Sequence, residues 1–160
     1  MDKRPNELSL VLYNLRSAYN TGAIFRTADG AGVSRIYLIG TTPRPVDRFG
    51  RINEKIAKTA LGAEKVIDWR YGKTINPFLK KWTEEGKRVW ALEQTKDSVD
   101  YREVKIDPSA VLVLGEEKKG LPKSVLDKCH QVIEIPMAGR KESLNVAVAA
   151  GVAVFRLLED

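Results

Sequence analysis

The sequence predicts one α/β domain in which helices cover both faces of a parallel sheet. Short apolar segments alternate along the chain with longer segments whose apolar residues recur at the helical period. Glycine or proline stands at many of the boundaries between these segments. No internal repeat, low-complexity tract or linker interrupts the alternation, so residues 1–160 are expected to form a single domain. Strands that alternate with helices form parallel sheets, because each helix returns the chain to the edge where the next strand begins.

The first half of the chain is predicted to contain three strands and three helices in alternation. Its strands are expected at Leu8–Tyr13, Arg35–Ile39 and Val66–Trp69. Its helices are expected at Ala18–Ala31, Ile52–Leu61 and Asn76–Gly86. Gly32 and Gly62 fit the ends of the first two helices, and Pro77 fits the first turn of the third. Thr41–Gly50 is predicted to be a loop, because its two prolines lack backbone donors.

The second half repeats the pattern with more strongly apolar strands. Its strands are expected at Arg88–Glu93, Ala110–Leu114 and Gln131–Ile135, and its helices at Lys123–Cys129 and Ser143–Leu158. Ser143 is expected to be the N-cap of the last helix. That helix is rich in alanine and contains Gly151, and such small residues permit close packing. Its packing partner is either the chain's own sheet or a helix of a second copy of the chain.

Length and composition indicate a soluble globular protein. Of the 160 residues, 43% are hydrophobic and 30% are charged. Cys129 is the only cysteine, which excludes an intrachain disulfide and any multi-cysteine metal site. The N-terminal residues lack the apolar core of a signal peptide, and no apolar run approaches the roughly 18 residues of a membrane span. We therefore expect a cytoplasmic protein with no membrane partner and no metal.

The charge balance favours a polyanionic partner. The net charge is +6 and the isoelectric point is about 9.4. Between residues 14 and 51 stand six arginines against two acids: Arg16, Arg26, Arg35, Arg44, Arg48 and Arg51 against Asp29 and Asp47. This segment is the better candidate for a phosphate-facing surface.

Several common α/β enzyme classes are excluded or disfavoured by missing motifs. Neither the dinucleotide-binding G-x-G-x-x-G nor the phosphate-binding G-x-x-x-x-G-K-[ST] occurs, and Gly30–Gly32 matches only part of the former at a helix end. A catalytic zinc site is disfavoured by one histidine and one cysteine. A serine hydrolase is disfavoured because no G-x-S-x-G accompanies His130. His130 and Cys129 are expected to pack at the end of a helix.

Three segments in the C-terminal half carry polar or conformationally special residues. Gly115–Leu121 follows an apolar strand, Ile135–Met137 ends the next strand, and Ser143–Asn145 opens the last helix. Ligands of open α/β sheets bind at the carboxyl ends of the strands. We therefore expect these three segments to converge on a ligand site.

These segments and two in the first half of the chain resemble the motifs of a known enzyme family. Asn20–Asp29 resembles the first motif of the TrmH/SpoU family of RNA ribose methyltransferases, and Val113–Leu121 resembles the second. Ile135–Met137 together with Ser143–Ala149 resembles the third. Lys58–Ala63 is similar to the central segment of the family. The resemblance extends from residue 8 to residue 158, with the motifs in order and at suitable spacing.

The resemblance implies a fold, a reaction and partners. The fold is the SPOUT fold, a parallel α/β domain whose C-terminal segment is threaded into a trefoil knot. The reaction is transfer of the methyl group of S-adenosylmethionine to a ribose 2′-hydroxyl of tRNA or rRNA. Members of the family are homodimers, and some carry an extra N-terminal RNA-binding domain. Because the first motif begins near residue 20, the chain is expected to be the minimal, single-domain form.

Arg26 matches the catalytic arginine of the family. A ribose hydroxyl is a poor nucleophile, so the site must orient it and stabilise negative charge that develops on its oxygen. A guanidinium has a pKa above about 12, which favours positioning and electrostatic stabilisation over a role as general base. The alternative interpretation of Arg26 is a surface ion pair with Asp29, one helical turn away.

Four further residues match catalytic positions of the family. Asn20 is expected to orient Arg26 or contact substrate, the alternative being a helix N-cap. Glu117 is expected to brace Arg26, the alternative being a solvated carboxylate in a turn. Asn145 is expected to tie the knot loop together through its amide, and Ser143 to cap the last helix while contacting the cofactor.

The resemblance also implies binding residues. The cofactor is expected to contact Leu92, Gly115, Ile135, Met137, Ser143 and Leu144, with glycine allowing close backbone approach and the apolar side chains enclosing the adenine. Each of these apolar residues is equally compatible with a place in the core. The basic residues that flank the motifs are candidates for RNA phosphate contacts or for plain solvation: Arg16, Arg140 and Lys141.

Two other functions compete with the RNA methyltransferase hypothesis. The first is a catalytically inactive RNA-binding module with the same fold, which has no need to keep Asn20, Arg26, Glu117, Ser143 and Asn145 together. The second is a methyltransferase of small molecules, which the basic first half of the chain disfavours.

Overall fold

Seven parallel strands form a single sheet in the computed structural model, which describes residues 7–159. The strands are β1 (Glu7–Tyr13), β2 (Arg35–Ile39), β3 (Asp68–Gly72), β4 (Arg88–Leu92), β5 (Val99–Asp100), β6 (Ser109–Gly115) and β7 (Gln131–Glu134). Their order across the sheet is β3-β2-β1-β6-β4-β7-β5. Every strand pair is parallel, so all carboxyl ends lie at one edge.

Five helices pack on the two faces of this sheet. They are α1 (Ala18–Ala31), α2 (Glu54–Ala60), α3 (Asn76–Glu84), α4 (Lys123–Leu126) and α5 (Val146–Leu157). One core cluster joins one face of the sheet to α1, α2 and α5, and a second joins the opposite face to α3 and α4. Alternate residues of a strand point to opposite faces, so Leu10 and Leu12 of β1 belong to the first cluster and Val11 to the second. The predicted fold class, a parallel sheet covered on both faces, is confirmed.

Gly22 lets α1 and α2 approach each other closely. A Cβ atom at this position would overlap the backbone oxygen of Ile56 and Oγ1 of Thr59. Thr59 also donates a hydrogen bond to the backbone oxygen of Tyr19, at 2.8 Å. The glycine in the first motif therefore serves helix packing.

Two boundaries differ from the predictions for a local reason. Val66 was expected to begin a strand, but it ends a one-turn 3-10 helix at Ala63–Lys65 with a helical φ of −100° and ψ of −45°. Its side chain is 74% exposed, and β3 begins two residues later at Asp68. The β-branched residue alone was a misleading signal. The second helix begins at Glu54, because Asn53 accepts hydrogen bonds from the backbone nitrogens of Lys55 and Ile56.

The last helix has a different N-cap from the predicted one. Asn145, and not Ser143, caps α5: its Oδ1 accepts from the backbone nitrogens of Ala147 at 2.8 Å and Val148 at 3.3 Å. The prediction for Ser143 was wrong because asparagine two residues later is an equally good cap and lies next to the first helical turn. The short strand β5 was not predicted, since two residues carry no periodicity.

No helix in the described part of the chain, residues 7–159, combines the length and the apolarity needed to cross a membrane.

Candidate active site

The three C-terminal segments converge at the carboxyl edge of the sheet. They surround a cleft of about 220 Å³ at the ends of the neighbouring strands β4, β6 and β7. All six residues that were predicted to contact a cofactor line it: Leu92, Gly115, Ile135, Met137, Ser143 and Leu144. Glu117 lines it as well. We call this space the loop cleft.

Gly115 allows the segment after β6 to fold back on itself. A Cβ atom at this position would lie 2.7 Å from the carbonyl carbon of Gly120 and 2.9 Å from the backbone nitrogen of Leu121. An isolated antiparallel bridge pairs Glu116 with Gly120. The absence of a side chain at Gly115 is thus needed to close this turn against its own backbone, which forms one wall of the loop cleft.

Glu93 joins two walls of the loop cleft, and the sequence analysis missed it. Its Oε2 accepts from the backbone nitrogen of Leu121 at 3.0 Å, and its Oε1 accepts from that of Gln94 at 3.0 Å. Gln94 in turn donates through Nε2 to the backbone oxygen of Glu142, at 2.8 Å. The signal that was available is positional, since Glu93 is a carboxylate directly after the end of a buried strand.

A polar network connects the first, second and third motifs. Asn20 donates through Nδ2 to Oε1 of Glu117 at 2.6 Å. Asn145 donates through Nδ2 to Oδ1 of Asn20 at 3.2 Å, while its own Oδ1 caps α5. Asn20 is not the N-cap of α1, because Ser17 accepts from the backbone nitrogen of Asn20 and takes that role. Both groups of the Asn20 amide are used, which fixes its orientation.

Arg26 lies outside the loop cleft of its own chain. It is six residues after Asn20 on α1, about 9 Å along the helix axis and about 120° around it. It lines a second cavity beside Lys58, Leu61 and Phe155. Within one chain the Glu117 carboxylate accepts from Asn20, so the expectation that Glu117 braces Arg26 stays a prediction.

The alternative interpretation of Arg26 is not supported either. Among residues 7–159, no salt bridge joins Arg26 to Asp29, one turn further along α1. The guanidinium is exposed on the face of α1 that borders α5. It is therefore available to a molecule that covers this face.

The predicted RNA-contacting residues surround the loop cleft. Arg16 is 74% exposed, and its Nε lies 3.3 Å from Oε2 of the buried Glu116. Arg140 and Lys141 are exposed in the segment that leads from β7 to the last helix. In sequence the latter two stand between Met137 and Ser143, which both line the cleft.

His130 and Cys129 make contacts within the fold and belong to no candidate catalytic or metal site. Nδ1 of His130 accepts from the backbone nitrogen of Val89 at 3.0 Å, and the His130 backbone nitrogen donates to the Val89 oxygen at 2.8 Å. Burial raises the pKa of the Cys129 thiol to about 11, so it is not a nucleophile at neutral pH. In the stretch from residue 7 to residue 159, no group of three His, Cys, Asp or Glu side chains is arranged to hold a metal.

The sequence matches one family model over nearly the whole chain. The SpoU rRNA Methylase family model matches residues 7–155. The chain is 33% identical over 153 residues to a 23S rRNA (guanosine-2′-O-)-methyltransferase, RlmB, of Pseudomonas aeruginosa, an alignment that covers 96% of this chain and 59% of that protein. The chain thus spans about three-fifths of the length of the curated relatives it matches.

Solved structures share the fold at similar identity. An AdoMet-bound rRNA methyltransferase from Sinorhizobium meliloti has a TM-score of 0.83 and 31% identity, with 98% of this chain and 58% of that chain covered. A second structure, described as giving insights into the 2-OH methylation of C/U34 on tRNA, has a TM-score of 0.79 and 32% identity. That alignment covers 96% of this chain and 95% of the other. By these matches and by the motifs that surround its loop cleft, the chain belongs to the SpoU rRNA methylase family.

Proposed function

We propose that the chain is an S-adenosylmethionine-dependent methyltransferase that methylates a ribose 2′-hydroxyl of tRNA or rRNA. The observation that carries this proposal is the network of Glu117, Asn20 and Asn145, which joins three distant motifs of the family beside one cleft. The relatives named as RNA 2′-O-methyltransferases and the AdoMet-bound structure support it. Substrates of this kind imply that the protein acts in the cytoplasm.

The residues of the loop cleft fit the proposed cofactor. Leu92, Ile135 and Leu144 offer apolar surface for a flat adenine ring. Four glutamates outnumber two lysines on the same lining, and net negative charge favours a sulfonium cation: Glu93, Glu116, Glu117 and Glu134 against Lys118 and Lys119. Bound there, S-adenosylmethionine supplies an electrophilic methyl group. The chain's own residues would hold it between the turn that follows β6 and the segment that precedes α5.

The polar network would keep the cleft in its binding geometry. Asn20 bonds to Glu117 on one wall and to Asn145 on the other, so both walls are fixed to the N-terminus of α1. Such fixed geometry lowers the entropy that must be lost when two reactants are aligned. Ser143 lines the cleft and is free to contact the cofactor, since Asn145 takes the capping role.

Arg26 would act on the cleft of a second copy of the chain. Its own cleft lies around the helix from it, whereas the cavity that it lines opens beside Phe155 of α5. A row of exposed apolar residues follows one face of α5, with Val148 at 52%, Val152 at 37% and Phe155 at 52% exposure. Two copies that bury this row against each other would cover the face on which Arg26 stands.

The arginine then has two tasks in the reaction. Its planar guanidinium can donate to the ribose 2′-oxygen and to a neighbouring phosphate at the same time. It would stabilise negative charge on the 2′-oxygen and hold the ribose in line with the methyl group. As the O–CH3 bond forms, the S–CH3 bond breaks, S-adenosylhomocysteine leaves and the hydroxyl proton passes to solvent. Arg16, Arg140 and Lys141 would hold further phosphates around the cleft.

One assay tests the reaction and the substrate class together. The purified chain is incubated with S-adenosylmethionine carrying a labelled methyl group and with total tRNA or total rRNA, and ribose methylation is mapped by nucleotide. We expect label on a single 2′-oxygen in one of the two pools. Isothermal titration with the cofactor alone is the second readout. Cofactor binding without RNA methylation would contradict the proposed substrate, and the absence of cofactor binding would indicate an inactive RNA-binding module.

A further inference from the structure

We infer that a surface built around residues 41–53 binds unpaired nucleotides of the substrate RNA. The inference rests on the proposed function and extends it to a second contact region, away from the loop cleft. The surface consists of three arginines and two aromatic rings: Arg44, Arg48, Phe49, Arg51 and Tyr71. We call it the arginine–aromatic surface.

Guanidinium groups lie over both rings. The Cζ atom of Arg44 is 4.1 Å from the centroid of the Tyr71 ring. The Cζ atoms of Arg48 and Arg51 are 4.7 Å and 5.1 Å from the centroid of Phe49. These distances are those of cation–π contacts, which keep each ring beside a positive charge.

Phe49 is the most exposed aromatic side chain of this surface. Its side chain is 67% accessible to solvent, although a phenylalanine is one of the residues that folding favours burying. Ile52, three residues on, is 58% exposed, and Tyr71 is 39% exposed. Contiguous apolar surface with a polar rim marks interaction sites on soluble proteins.

The arginine–aromatic surface is held in place before any ligand arrives. Asp47 accepts from the backbone nitrogens of Phe49 at 2.8 Å and Arg51 at 3.0 Å, and from Nε of Arg51 at 2.8 Å. At the start of the segment, the buried Thr42 accepts from the backbone nitrogen of Leu15. These bonds fix the tip that carries Phe49, so binding there would cost little ordering entropy.

The surface faces the same side of the molecule as the loop cleft. It follows the carboxyl end of β2 and includes Tyr71 near the carboxyl end of β3. In the sheet order, β2 and β3 lie two and three places from β6, which borders the loop cleft. With neighbouring strands about 4.8 Å apart, the separation along this edge is about 10–15 Å. An RNA strand with its ribose at the cleft can reach the surface within a few nucleotides.

Its chemistry selects unpaired RNA. Three arginines against the single acid Asp47 give the surface a positive charge, which suits a phosphate backbone. Aromatic rings and guanidinium planes both stack on bases, and bases offer their faces only where they are not already stacked in a duplex. A cavity of about 550 Å³ beside Arg44, Arg51 and Tyr71 provides room for such a base. A double helix would hide these faces and leave the rings without a partner.

Fluorescence anisotropy with two RNA probes tests the inference. The full chain is titrated with a labelled oligouridylate of about twelve nucleotides and with a duplex of the same length. We expect tighter binding of the single strand. We expect Phe49→Ala to weaken it about 5- to 100-fold, the range measured when a stacked ring is removed.

The salt dependence of RNA binding provides a second readout, which a folding defect would not reproduce. Arg48→Ala should lower the slope of log affinity against log salt by about 0.7, since one fewer phosphate is neutralised on a single strand. Phe49→Ala should leave that slope unchanged. Two matched controls lie at the opposite edge of the sheet: Arg88→Ala removes an exposed arginine at the start of β4, and Val66→Ala trims an exposed apolar side chain. Both should bind like the unaltered chain.

Three outcomes would overturn the inference: equal binding by Phe49→Ala, tighter binding of the duplex, or no binding of the oligouridylate by the unaltered chain. Titration with S-adenosylmethionine separates these results from a failure of the proposed function. Phe49 and Arg48 lie outside the loop cleft, so their variants should bind the cofactor normally. If the chain binds the single strand through Phe49 but binds no cofactor, the proposed reaction is refuted and the inference about the arginine–aromatic surface is still supported.

Discussion

The side-chain amide of Asn20 donates to a carboxylate oxygen of Glu117 at 2.6 Å, across 97 residues of sequence. Asn20 also accepts from Asn145, 125 residues away, at 3.2 Å. One asparagine on the first helix therefore holds the turn after β6 and the N-cap of α5 together. The relation uses both ends of the amide, whereas a carboxylate of the same shape accepts at both ends and donates at neither.

Replacing Asn20 by aspartate should break this relation while keeping the shape of the side chain. A carboxylate can still accept from Asn145, but it cannot donate to Glu117 and it repels that group. We expect the free energy of unfolding to fall by about 1–2 kcal/mol and the cofactor affinity to fall with it. Urea unfolding and calorimetry measure the two effects. Asn53→Asp at the N-cap of α2 is the control, since aspartate is an equally good cap there. Unchanged cofactor affinity in Asn20→Asp would show that the network does not position the cleft.

Replacing Arg26 by alanine should abolish methyl transfer and leave cofactor binding intact. The reason is that Arg26 lines no part of its own loop cleft. Arg26→Lys should also be inactive, since a point charge lacks the fork that holds oxygen and phosphate together. Methylation rates are measured with whichever RNA pool accepts label from the unaltered chain, and calorimetry measures cofactor binding. A variant with normal transfer rates would remove Arg26 from the mechanism.

Mixing two inactive variants tests whether the arginine serves a second copy. Arg26→Ala and Glu117→Ala each disable every site in a pure dimer. In a mixed dimer, one site combines the intact cleft of one copy with the intact arginine of the other. After subunit exchange in equal amounts, about a quarter of the original activity should return, because half of the dimers are mixed and each has one working site. No recovery, with mixed dimers verified by mass spectrometry, would show that both groups serve the same chain.

The helices and strands were predictable where the pattern was long and unambiguous. The six longer strands and the helix Ala18–Ala31 follow from apolar runs and glycine stops. Val66 failed because a single β-branched residue says little when the side chain remains in solvent, and Ser143 failed because Asn145 offered a competing cap. Both outcomes are decided by neighbouring residues, which the propensity of a single residue does not contain.

The site was predictable in its list of lining residues and not in its connections. Six cofactor residues came from motif resemblance and all line the cleft, yet Glu93 lies outside those motifs and was missed. The sequence also suggested a direct contact between Glu117 and Arg26. Helix geometry places Arg26 about 120° around α1 from Asn20, and within one chain Glu117 accepts from Asn20. Spacing within a motif does not reveal which chain completes a site.

Glu93 should matter for cofactor binding through the turn that it holds. In Glu93→Gln one of the two acceptor oxygens becomes a donor, so the backbone nitrogen of Leu121 or of Gln94 loses its partner. We expect roughly tenfold weaker cofactor binding, which corresponds to the loss of one hydrogen bond. Glu85→Gln removes a surface carboxylate at the end of α3 and is the control. If both variants bind the cofactor equally, the contact of Glu93 with Leu121 does not shape the cleft.

Two glycine-to-alanine substitutions distinguish the close packing at Gly115 from the general effect of adding a methyl group to a glycine. Gly115→Ala would place a Cβ atom 2.7 Å from the backbone of Gly120, so the turn must open. We expect a loss of about 1–3 kcal/mol in the free energy of unfolding, together with weaker cofactor binding. Gly139→Ala meets no atom within 4 Å and should change stability by less than about 0.5 kcal/mol. A Gly115→Ala variant as stable as Gly139→Ala would contradict the closed form of the turn.

The Cys129 thiol gives a pH-dependent prediction whose sign follows from its burial. Desolvation raises the thiol pKa from the ordinary 9.0 to about 11, so the folded chain keeps this proton after the unfolded chain has lost it. The stability contributed by this group is complete below pH 9 and declines as the pH rises toward about 11, because the unfolded state binds fewer protons in that window. Unfolding midpoints in urea, measured for the unaltered chain and for Cys129→Ala, isolate the effect from other groups. Their difference should be constant from pH 7 to 8.5 and should narrow above about pH 9. At pH 8 the thiol should also react with iodoacetamide about 100-fold more slowly than in the unfolded chain. A thiol that reacts equally fast in both states would refute the half-buried position of Cys129 between α4 and β7.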